Sequence, residues 1–141
     1  MAANVLIVDD SQTMRRMIRR TLEISGLDVG AVFEAANGIE ALAQMAEHPI
    51  HAVLLDINMP IMSGLKLVER MRDDYRLRNI PVIVASTEGS ETRIQHLLDA
   101  GARAYVRKPF QPEQLRDALS PILGLADEPA SAGDDGGSME F

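Results

Sequence analysis

The chain has 141 residues, no cysteine and a formal net charge of -7 at pH 7. This length favours one domain with a buried core, and the lack of thiols excludes disulfides, thiolate metal sites and cysteine nucleophiles. The acidic balance argues against nucleic acid as the main partner. The start has no basic segment, and its apolar run, residues 5–8, is too short for a signal peptide or a membrane span. We therefore expect a cytoplasmic protein that does not enter a membrane.

Five apolar runs of strand length alternate with five helical patterns along the chain. The runs are residues 4–8, 29–35, 51–57, 81–86 and 104–107. The helical patterns begin near Ser11, Asn37, Ser63, Ser90 and Pro112. Short connections between alternating strands and helices predict right-handed crossovers and a parallel sheet covered on both faces. The predicted fold class is therefore α/β, with a doubly wound, five-stranded parallel sheet.

The helical patterns also predict which side chains face the core and where helices end. The inward stripe of the first helix is Met14, Met17, Ile18, Thr21 and Leu22, and the opposite face carries Arg15, Arg16, Arg19 and Arg20. The later stripes are Leu65, Val68 and Met71 in the third helix and Ile94, Leu97 and Leu98 in the fourth. Gly26 and Gly101 are expected to end the first and fourth helices, and Pro121 to kink or shorten the last.

The last sixteen residues differ in composition from the rest of the chain. Residues 126–141 hold five acidic side chains and no basic one, with few apolar residues and several Gly, Pro and Ala. The first 125 residues are nearly balanced, with 16 acidic and 14 basic side chains. We therefore expect one folded domain over residues 1–125, followed by a disordered acidic tail over residues 126–141.

Polar side chains follow four of the five predicted strands. They are Asp9 and Asp10 after strand 1, Asp56 after strand 3, Ser86 and Thr87 after strand 4, and Lys108 after strand 5. Open α/β sheets bind ligands beyond the carboxyl ends of their strands. We therefore expect these side chains to form one pocket.

Three carboxylates in one pocket repel one another unless a cation lies between them or one of them stays protonated. Oxygen ligands without Cys or a nearby His suit a hard ion, and Mg²⁺ commonly combines one or two carboxylates with waters and a phosphate oxygen. A carboxylate can then attack phosphorus to give an aspartyl phosphate, while a lysine and a hydroxyl group stabilise the transferred oxygens. Asp56, Lys108 and Ser86 fit these three roles.

Each of these signals has a simpler interpretation when it is taken alone. An acidic pair before a helix is usually a cap, and Asp56 by itself is compatible with a turn. Ser86 with Thr87, and Lys108 with Pro109, are compatible with ordinary loop hydrogen bonds and a turn. Tyr105 is a common strand residue. The combination of acidic pair, strand-end acid and late lysine is what favours a functional site.

These residues resemble a known family. The Asp9-Asp10 pair, Asp56 within LLDINMPIMSG, the hydroxyl of Ser86 and the sequence Lys108-Pro109-Phe110 look like the receiver domain of two-component response regulators, over about residues 3–124. The chain is most similar to stand-alone receivers of the chemotaxis CheY type. This resemblance implies a flavodoxin-like (βα)5 fold with strand order 2-1-3-4-5.

The resemblance implies a role for each pocket residue. Asp56 is the phosphoacceptor, which takes a phosphoryl group from a histidine kinase or a histidine phosphotransfer protein. Asp9, Asp10 and Asp56 bind Mg²⁺ together with the backbone carbonyl of Asn58. Lys108 pairs with the phosphoryl group. The pocket would catalyse its own phosphorylation and dephosphorylation only, so the chain is not expected to be an enzyme with a separate substrate.

The resemblance also implies a switch. Ser86 turns inward on phosphorylation, and Tyr105 moves from an exposed to a buried rotamer, which alters the face made by helix 4, strand 5 and helix 5. A downstream protein would bind that face, and Asn58, Thr87 and Glu88 would set the phosphoryl lifetime. The protein is expected to be a monomer in chemotaxis or motility, with its arginine-rich first helix helping to dock an acidic kinase or phosphotransfer domain.

Three alternatives stay open at this point. A haloacid-dehalogenase-like phosphatase also uses an Asp nucleophile, a lysine and Mg²⁺, but it has a DxD motif after its first strand and an acidic pair late in the chain, the reverse of the order here. A stand-alone receiver of a phosphorelay outside chemotaxis is a second alternative. A nucleotide-binding flavodoxin-like module is disfavoured because no Gly-rich loop follows strand 1.

Overall fold

The computed structural model describes residues 2–56, 62–86, 91–108 and 110–123, apart from the side chains of Ser86, Ile122 and Leu123. Strands and helices alternate along this chain as predicted. The elements are β1 (Ala3–Val8), α1 (Gln12–Ile24), β2 (Val29–Ala35), α2 (Gly38–Glu47), β3 (Ala52–Leu55), α3 (Gly64–Arg72), β4 (Val82–Ser86), α4 (Glu91–Ala100), β5 (Ala104–Arg107) and α5 (Pro112–Leu123).

The five strands form one parallel sheet in the order β2-β1-β3-β4-β5, which confirms the doubly wound architecture. In the register of the three strands on the β2 side, Val8 pairs with both Ala35 and Leu55. Their carboxyl ends are therefore level. β3 runs over Ala52–Leu55, within the strand predicted over residues 51–57, so Asp56 lies one residue beyond its end, and Ile57 lies outside the described residues.

Both faces of the sheet are buried, as expected for a parallel sheet with crossover helices. Alternate residues of β1 point to opposite faces. Leu6 and Val8 pack in the core beneath α2, α3 and α4, whereas Val5 and Ile7 pack in the core beneath α1 and α5. All four side chains are fully buried. This two-sided burial fixes the strand ends that carry the polar residues.

The orientation of α1 differs from the predicted one. Ile18 and Leu22 are buried as expected, but Met17 is 54% exposed. Arg15 and Arg19, which were predicted on the face opposite the core, lie against β2 instead and bind Glu34. The helix is therefore rotated toward the edge strand, because the ion pairs draw the arginine side inward and leave Met17 in solvent.

The inward face of α3 also differs by one position from the predicted stripe. Val68 and Met71 are buried as predicted, but the third large buried side chain is Leu67, and Leu65 is only partly buried. The buried series is Gly64, Leu67, Val68 and Met71, which follows the i, i+3, i+4, i+7 spacing of a helix face. Since Gly64 contributes no apolar side chain, the sequence pattern does not reveal where this stripe begins. In α4, Leu97 is buried, and Ile94 and Leu98 pack at the margin of the same core.

The helix ends follow local sequence signals. The side chains of Ser11, Asn37 and Ser63 accept hydrogen bonds from backbone N–H groups three residues later and so cap α1, α2 and α3. Gly26 and Gly101 follow α1 and α4 with φ angles of 89° and 132°, a region that glycine adopts most readily. Pro121 does not end α5, which continues to Leu123. Among the described helices, none has the length and apolar character needed to span a bilayer.

Candidate functional site

Three of the predicted site residues meet at the carboxyl edge of the sheet. Asp9 follows β1, Asp56 follows β3 and Lys108 follows β5. Two backbone hydrogen bonds hold this edge together, since the Asp9 N–H donates to the Ala35 carbonyl at 3.0 Å and the Asp56 N–H donates to the Val8 carbonyl at 2.9 Å. The first two strand-end carboxylates are thus fixed to the sheet by the backbone itself.

The ammonium group of Lys108 lies between two carboxylates. Its Nζ atom donates to Oδ2 of Asp9 at 2.5 Å and lies 3.8 Å from Oδ1 of Asp56. The side chains of Lys108 and Asp9 are only 6% and 3% exposed, and that of Asp56 is 13% exposed. A buried charge is costly unless it is paired, and here the side chains of Lys108 and Asp9 are each other's partners.

Asp9 is held by every polar group it has. Besides the bonds to Ala35 and Lys108, its Oδ1 atom accepts a hydrogen bond from the Ser11 N–H at 2.9 Å. Its carbonyl oxygen accepts a hydrogen bond from Nη1 of Arg15 at 2.5 Å. Asp9 is therefore a rigid part of the pocket as well as a carboxylate in it.

Asp10 completes a cluster of three acids. We call this cluster of Asp9, Asp10 and Asp56, together with Lys108, the acid pocket. One carboxylate oxygen from each of Asp9, Asp10 and Asp56 lies within 4.8 Å of the other two. Three carboxylates against one ammonium leave two negative charges. Such a cluster favours a divalent cation, and ligands that are all oxygen fit Mg²⁺. The donor set therefore matches the cofactor that the sequence predicts.

The remaining predicted residues differ in what the structure describes. Ser86 is the last residue of β4 and pairs with Arg107 of β5, while its side chain lies outside the described part. Tyr105 lies in β5, pairs with Val84, and packs half-buried against the core beneath α2, α3 and α4. Asn58, Thr87 and Glu88 lie outside the described residues.

Sequence reasoning missed a second ionic cluster, which we call the arginine clamp: Arg15, Arg19 and Glu34. Nε of Arg15 donates to Oε1 of Glu34 at 2.9 Å, and Arg19 donates to Oε2 through Nε at 3.0 Å and Nη2 at 2.7 Å. Burial raises the pKa of Glu34, but the hydrogen bonds and charges of the two arginines outweigh it and hold this pKa below its usual range. The available signal was an acid near the carboxyl end of an otherwise apolar edge strand, together with two arginines four residues apart on α1.

Comparison with known proteins assigns the chain to a family. A model described as "Response regulator receiver domain" matches residues 5–120. The chain belongs to that family.

Individual relatives match nearly the whole receiver. "Chemotaxis protein CheY1" of Helicobacter pylori is 42% identical over 124 residues, which is 87% of this chain and 98% of that protein. "Chemotaxis protein CheY homolog" of Campylobacter jejuni is 39% identical over 85% of this chain and 92% of that protein. The solved structure of Vibrio cholerae chemotaxis response regulator CheY4 superposes with a TM-score of 0.77 at 34% identity, and covers 86% of this chain and 99% of that one.

These similarities confirm the CheY-like receiver fold with its 2-1-3-4-5 strand order. They also confirm that the chain is a response regulator receiver of a two-component system, the class that the acid pair, Asp56 and Lys108 predicted. Proteins of this class transmit signals and are not enzymes with a separate substrate. The receiver interpretation is therefore favoured over the phosphatase alternative.

Proposed function

We propose that this receiver is switched by phosphorylation of Asp56, and that the phosphoryl group comes from the phosphohistidine of a histidine kinase or histidine phosphotransfer protein. An oxygen of the Asp56 carboxylate attacks phosphorus, a new O–P bond forms, and the N–P bond to the donor imidazole breaks with its electron pair returning to that imidazole. The observation that carries this proposal is the acid pocket, where Asp56 lies beside a buried lysine and two further carboxylates.

The charges of the pocket support this chemistry. Asp9, Asp10, Asp56 and the backbone carbonyl of Asn58 would hold Mg²⁺, which neutralises the carboxylates and the oxygens of an incoming phosphoryl group when it is bound. Lys108 already lies 3.8 Å from Asp56 and would pair with the phosphoryl oxygens. Ser86, at the end of the adjacent β4, would donate its hydroxyl hydrogen to the same group.

Phosphorylation would act on partners through a shift between two conformations. A phosphoryl group changes such an equilibrium only if it binds one conformation better, and Ser86 and Lys108 are the groups that would provide this difference. Tyr105 lies on β5, three residues before Lys108, and packs against the core, so its rotamer would report the change on the α4-β5-α5 face, where a downstream protein would bind. Asn58, Thr87 and Glu88 would set the phosphoryl lifetime.

The biological setting is proposed from the relatives. Chemotaxis appears in the names of the proteins at 39–42% identity, so we place this chain in chemotaxis or motility signalling, with a receiver outside chemotaxis as the alternative. We further propose a cytoplasmic monomer with its receiver in residues 1–125 and an acidic tail in residues 126–141.

Incubation with Mg²⁺ and acetyl phosphate tests the central step. We expect the intact mass to increase by one phosphoryl group in the wild type and in Asp73→Asn, an exposed control at the end of α3, and not in Asp56→Asn. Asn has nearly the shape of Asp, so the fold should be unchanged. Its amide is not nucleophilic, so it cannot accept the phosphoryl group. A phosphorylated Asp56→Asn protein would contradict the assignment, and sustained turnover of many phosphate esters would support the phosphatase alternative.

A beryllofluoride complex tests the switch. With Mg²⁺ and beryllofluoride, the amide resonances of α4, β5 and α5 should shift in the wild type and in Tyr105→Phe. A binding partner recovered with the wild type should bind the free protein and the beryllofluoride complex with different affinities. No change outside the acid pocket would contradict the proposed output face.

A further inference from the structure

Arg15 connects the acid pocket to the edge strand of the sheet. Its Nη1 atom donates to the carbonyl oxygen of Asp9 at 2.5 Å, and its Nε atom donates to Oε1 of Glu34 at 2.9 Å. The side chain is only 14% exposed. The guanidinium group of Arg15 therefore links Glu34 on β2 to Asp9 of the acid pocket.

Glu34 is itself fixed. Arg19 donates two hydrogen bonds to its other oxygen, and the same guanidinium donates to the Val32 carbonyl at 3.2 Å. Hydrogen bonds between charged groups are roughly twice as strong as neutral ones, and a planar guanidinium holds its partners at fixed angles. Glu34 thus provides a rigid anchor for Arg15 on the sheet.

The contact to Asp9 matters because of where the next residue points. A peptide unit is planar, so fixing the Asp9 carbonyl oxygen also fixes the N–H and the Cα direction of Asp10. Asp10 is exposed, and within the described residues no hydrogen bond or ion pair of its carboxylate is recorded. The direction of that carboxylate therefore depends on the backbone that Arg15 holds.

We propose that Arg15, anchored by Glu34, is a positioning residue that aims the Asp10 carboxylate at the metal position shared with Asp9 and Asp56. This inference rests on the proposed function of the acid pocket. Arg15 does not touch the metal or the phosphoryl group in this proposal. It acts through the Asp9–Asp10 peptide, in the way that outer partners of metal ligands orient those ligands.

Charge alone predicts the opposite result. A cation near a Mg²⁺ site repels the ion, so removal of Arg15 would strengthen Mg²⁺ binding if Coulombic repulsion were its main effect. If Arg15 positions Asp10, its removal weakens Mg²⁺ binding instead. Arg16 lies next to it on α1, is exposed, and has no recorded contact with Glu34 or Asp9. Arg16→Gln is therefore the matched control for the same change in charge.

Titration with Mg²⁺ alone, in the absence of any phosphoryl donor, tests the proposal, with backbone amide resonances at the carboxyl edge as the signal. We expect Arg15→Gln to raise the dissociation constant about tenfold, the lower end of the range for outer partners of metal ligands. Arg15→Lys keeps the charge but loses the two-pronged geometry, so it should also weaken binding. Glu34→Gln should weaken it less. Binding in Arg16→Gln should stay within about twofold of the wild type, as expected for an exposed charge.

A second measurement separates positioning from a general loss of structure. With acetyl phosphate as donor, the Mg²⁺ concentration for half-maximal phosphorylation should rise in Arg15→Gln and Arg15→Lys, while the rate at saturating Mg²⁺ stays near that of the wild type. A lower rate at saturating Mg²⁺, with an unchanged half-maximal concentration, would overturn the proposal.

The outcomes also separate this inference from the proposed function. If the wild type neither binds Mg²⁺ nor is phosphorylated on Asp56, the proposed function itself fails. If the wild type does both and Arg15→Gln and Arg15→Lys bind Mg²⁺ as tightly as Arg16→Gln or more tightly, only the positioning role of Arg15 is overturned. Arg15→Lys and Glu34→Gln keep the test decisive if Arg15→Gln does not fold.

Discussion

Two ionic clusters flank the end of β1, and they are composed in opposite ways. The acid pocket combines three carboxylates with the single ammonium of Lys108, whereas the arginine clamp combines one carboxylate, Glu34, with two guanidinium groups. The first therefore has an excess of two negative charges and the second an excess of one positive charge. Asp9 belongs to the first cluster through its side chain and contacts the second through its carbonyl oxygen.

This difference separates a site that accepts ligands from one that supports it. In the arginine clamp both oxygens of Glu34 accept hydrogen bonds, so no further cation is required. In the acid pocket the ammonium group is shared between Asp9 and Asp56, and Asp10 faces the same space. Lys108 compensates only part of the repulsion among these carboxylates, and a bound cation would compensate the rest. The excess of charge, more than the presence of acids, is what identifies the functional cluster.

Removal of Lys108 tests the charge balance of the acid pocket and should have the largest effect. Lys108→Gln leaves the buried carboxylate of Asp9 without its ammonium partner, so the free energy of unfolding in the presence of a chelator should fall by about 3 kcal/mol. Saturating Mg²⁺ should restore part of this loss, because the ion binds the folded state and supplies the missing positive charge. Urea denaturation with chelator and with Mg²⁺ measures both terms.

Lys66 provides the control for this substitution, since it is exposed in α3. Lys66→Gln should change neither the stability in chelator nor the gain from Mg²⁺. Equal stability of Lys108→Gln and the wild type in chelator would show that the lysine is not what holds the acid pocket together.

Removal of the Glu34 charge tests the arginine clamp and should have a smaller effect. Glu34→Gln should lower the free energy of unfolding by about 1 kcal/mol at neutral pH, because the pairs are partly exposed to solvent. The folded state holds the pKa of Glu34 below its ordinary value of 4.5, so the unfolded chain binds the proton more readily. The contribution is therefore fully present above that value and is lost as the pH falls through the lowered pKa.

Urea denaturation across the acidic range measures this dependence. The difference in stability between wild type and Glu34→Gln should be constant from neutral pH down to the ordinary value and should then shrink. Glu23→Gln, an exposed position on α1, should show no such pH dependence. A difference that grows toward low pH would contradict the assigned ion pairs.

The sequence was sufficient to predict the fold and the composition of the acid pocket, for a simple physical reason. The carboxyl ends of parallel strands meet at one edge, so polar residues that follow apolar runs are brought together whatever the details of packing. The prediction that these side chains meet required only approximately correct strand boundaries, and it covered Asp9, Asp10, Asp56 and Lys108. The error at the end of β3 did not matter, because Asp56 is placed by its backbone bond to Val8.

The sequence was not sufficient for features that depend on how a helix is rotated. An apolar stripe defines the inward face of a helix only to within about one residue position, or roughly 100°. The pattern placed Met17 toward the core and Arg15 on the opposite face, whereas in the structure Met17 is exposed and Arg15 lies against β2. The contacts with Glu34 determine how the helix is rotated. Glu34 lies 19 positions after Arg15 and 15 positions after Arg19, so a pattern within the helix does not reveal these contacts. Lys108 lies closer to Asp9 than to Asp56. This difference likewise depends on side-chain geometry and not on the order of the residues along the chain.

The smallest expected effect concerns an ion pair at the opposite edge of the molecule. Arg76 pairs with Asp74 at 3.2 Å in the loop before β4, and hydrogen bonds from Arg76 lower the pKa of Asp74. Both residues lie in one short loop, and the arginine side chain is 70% exposed, so water solvates it almost as well without the partner. Arg76→Gln should therefore leave the urea midpoint unchanged within measurement error, in low salt and in high salt. A loss of stability as large as that of Glu34→Gln would mean that solvent exposure does not distinguish these two ion pairs. The contribution of the arginine clamp would then come from charge alone and not from its position between β2 and the acid pocket.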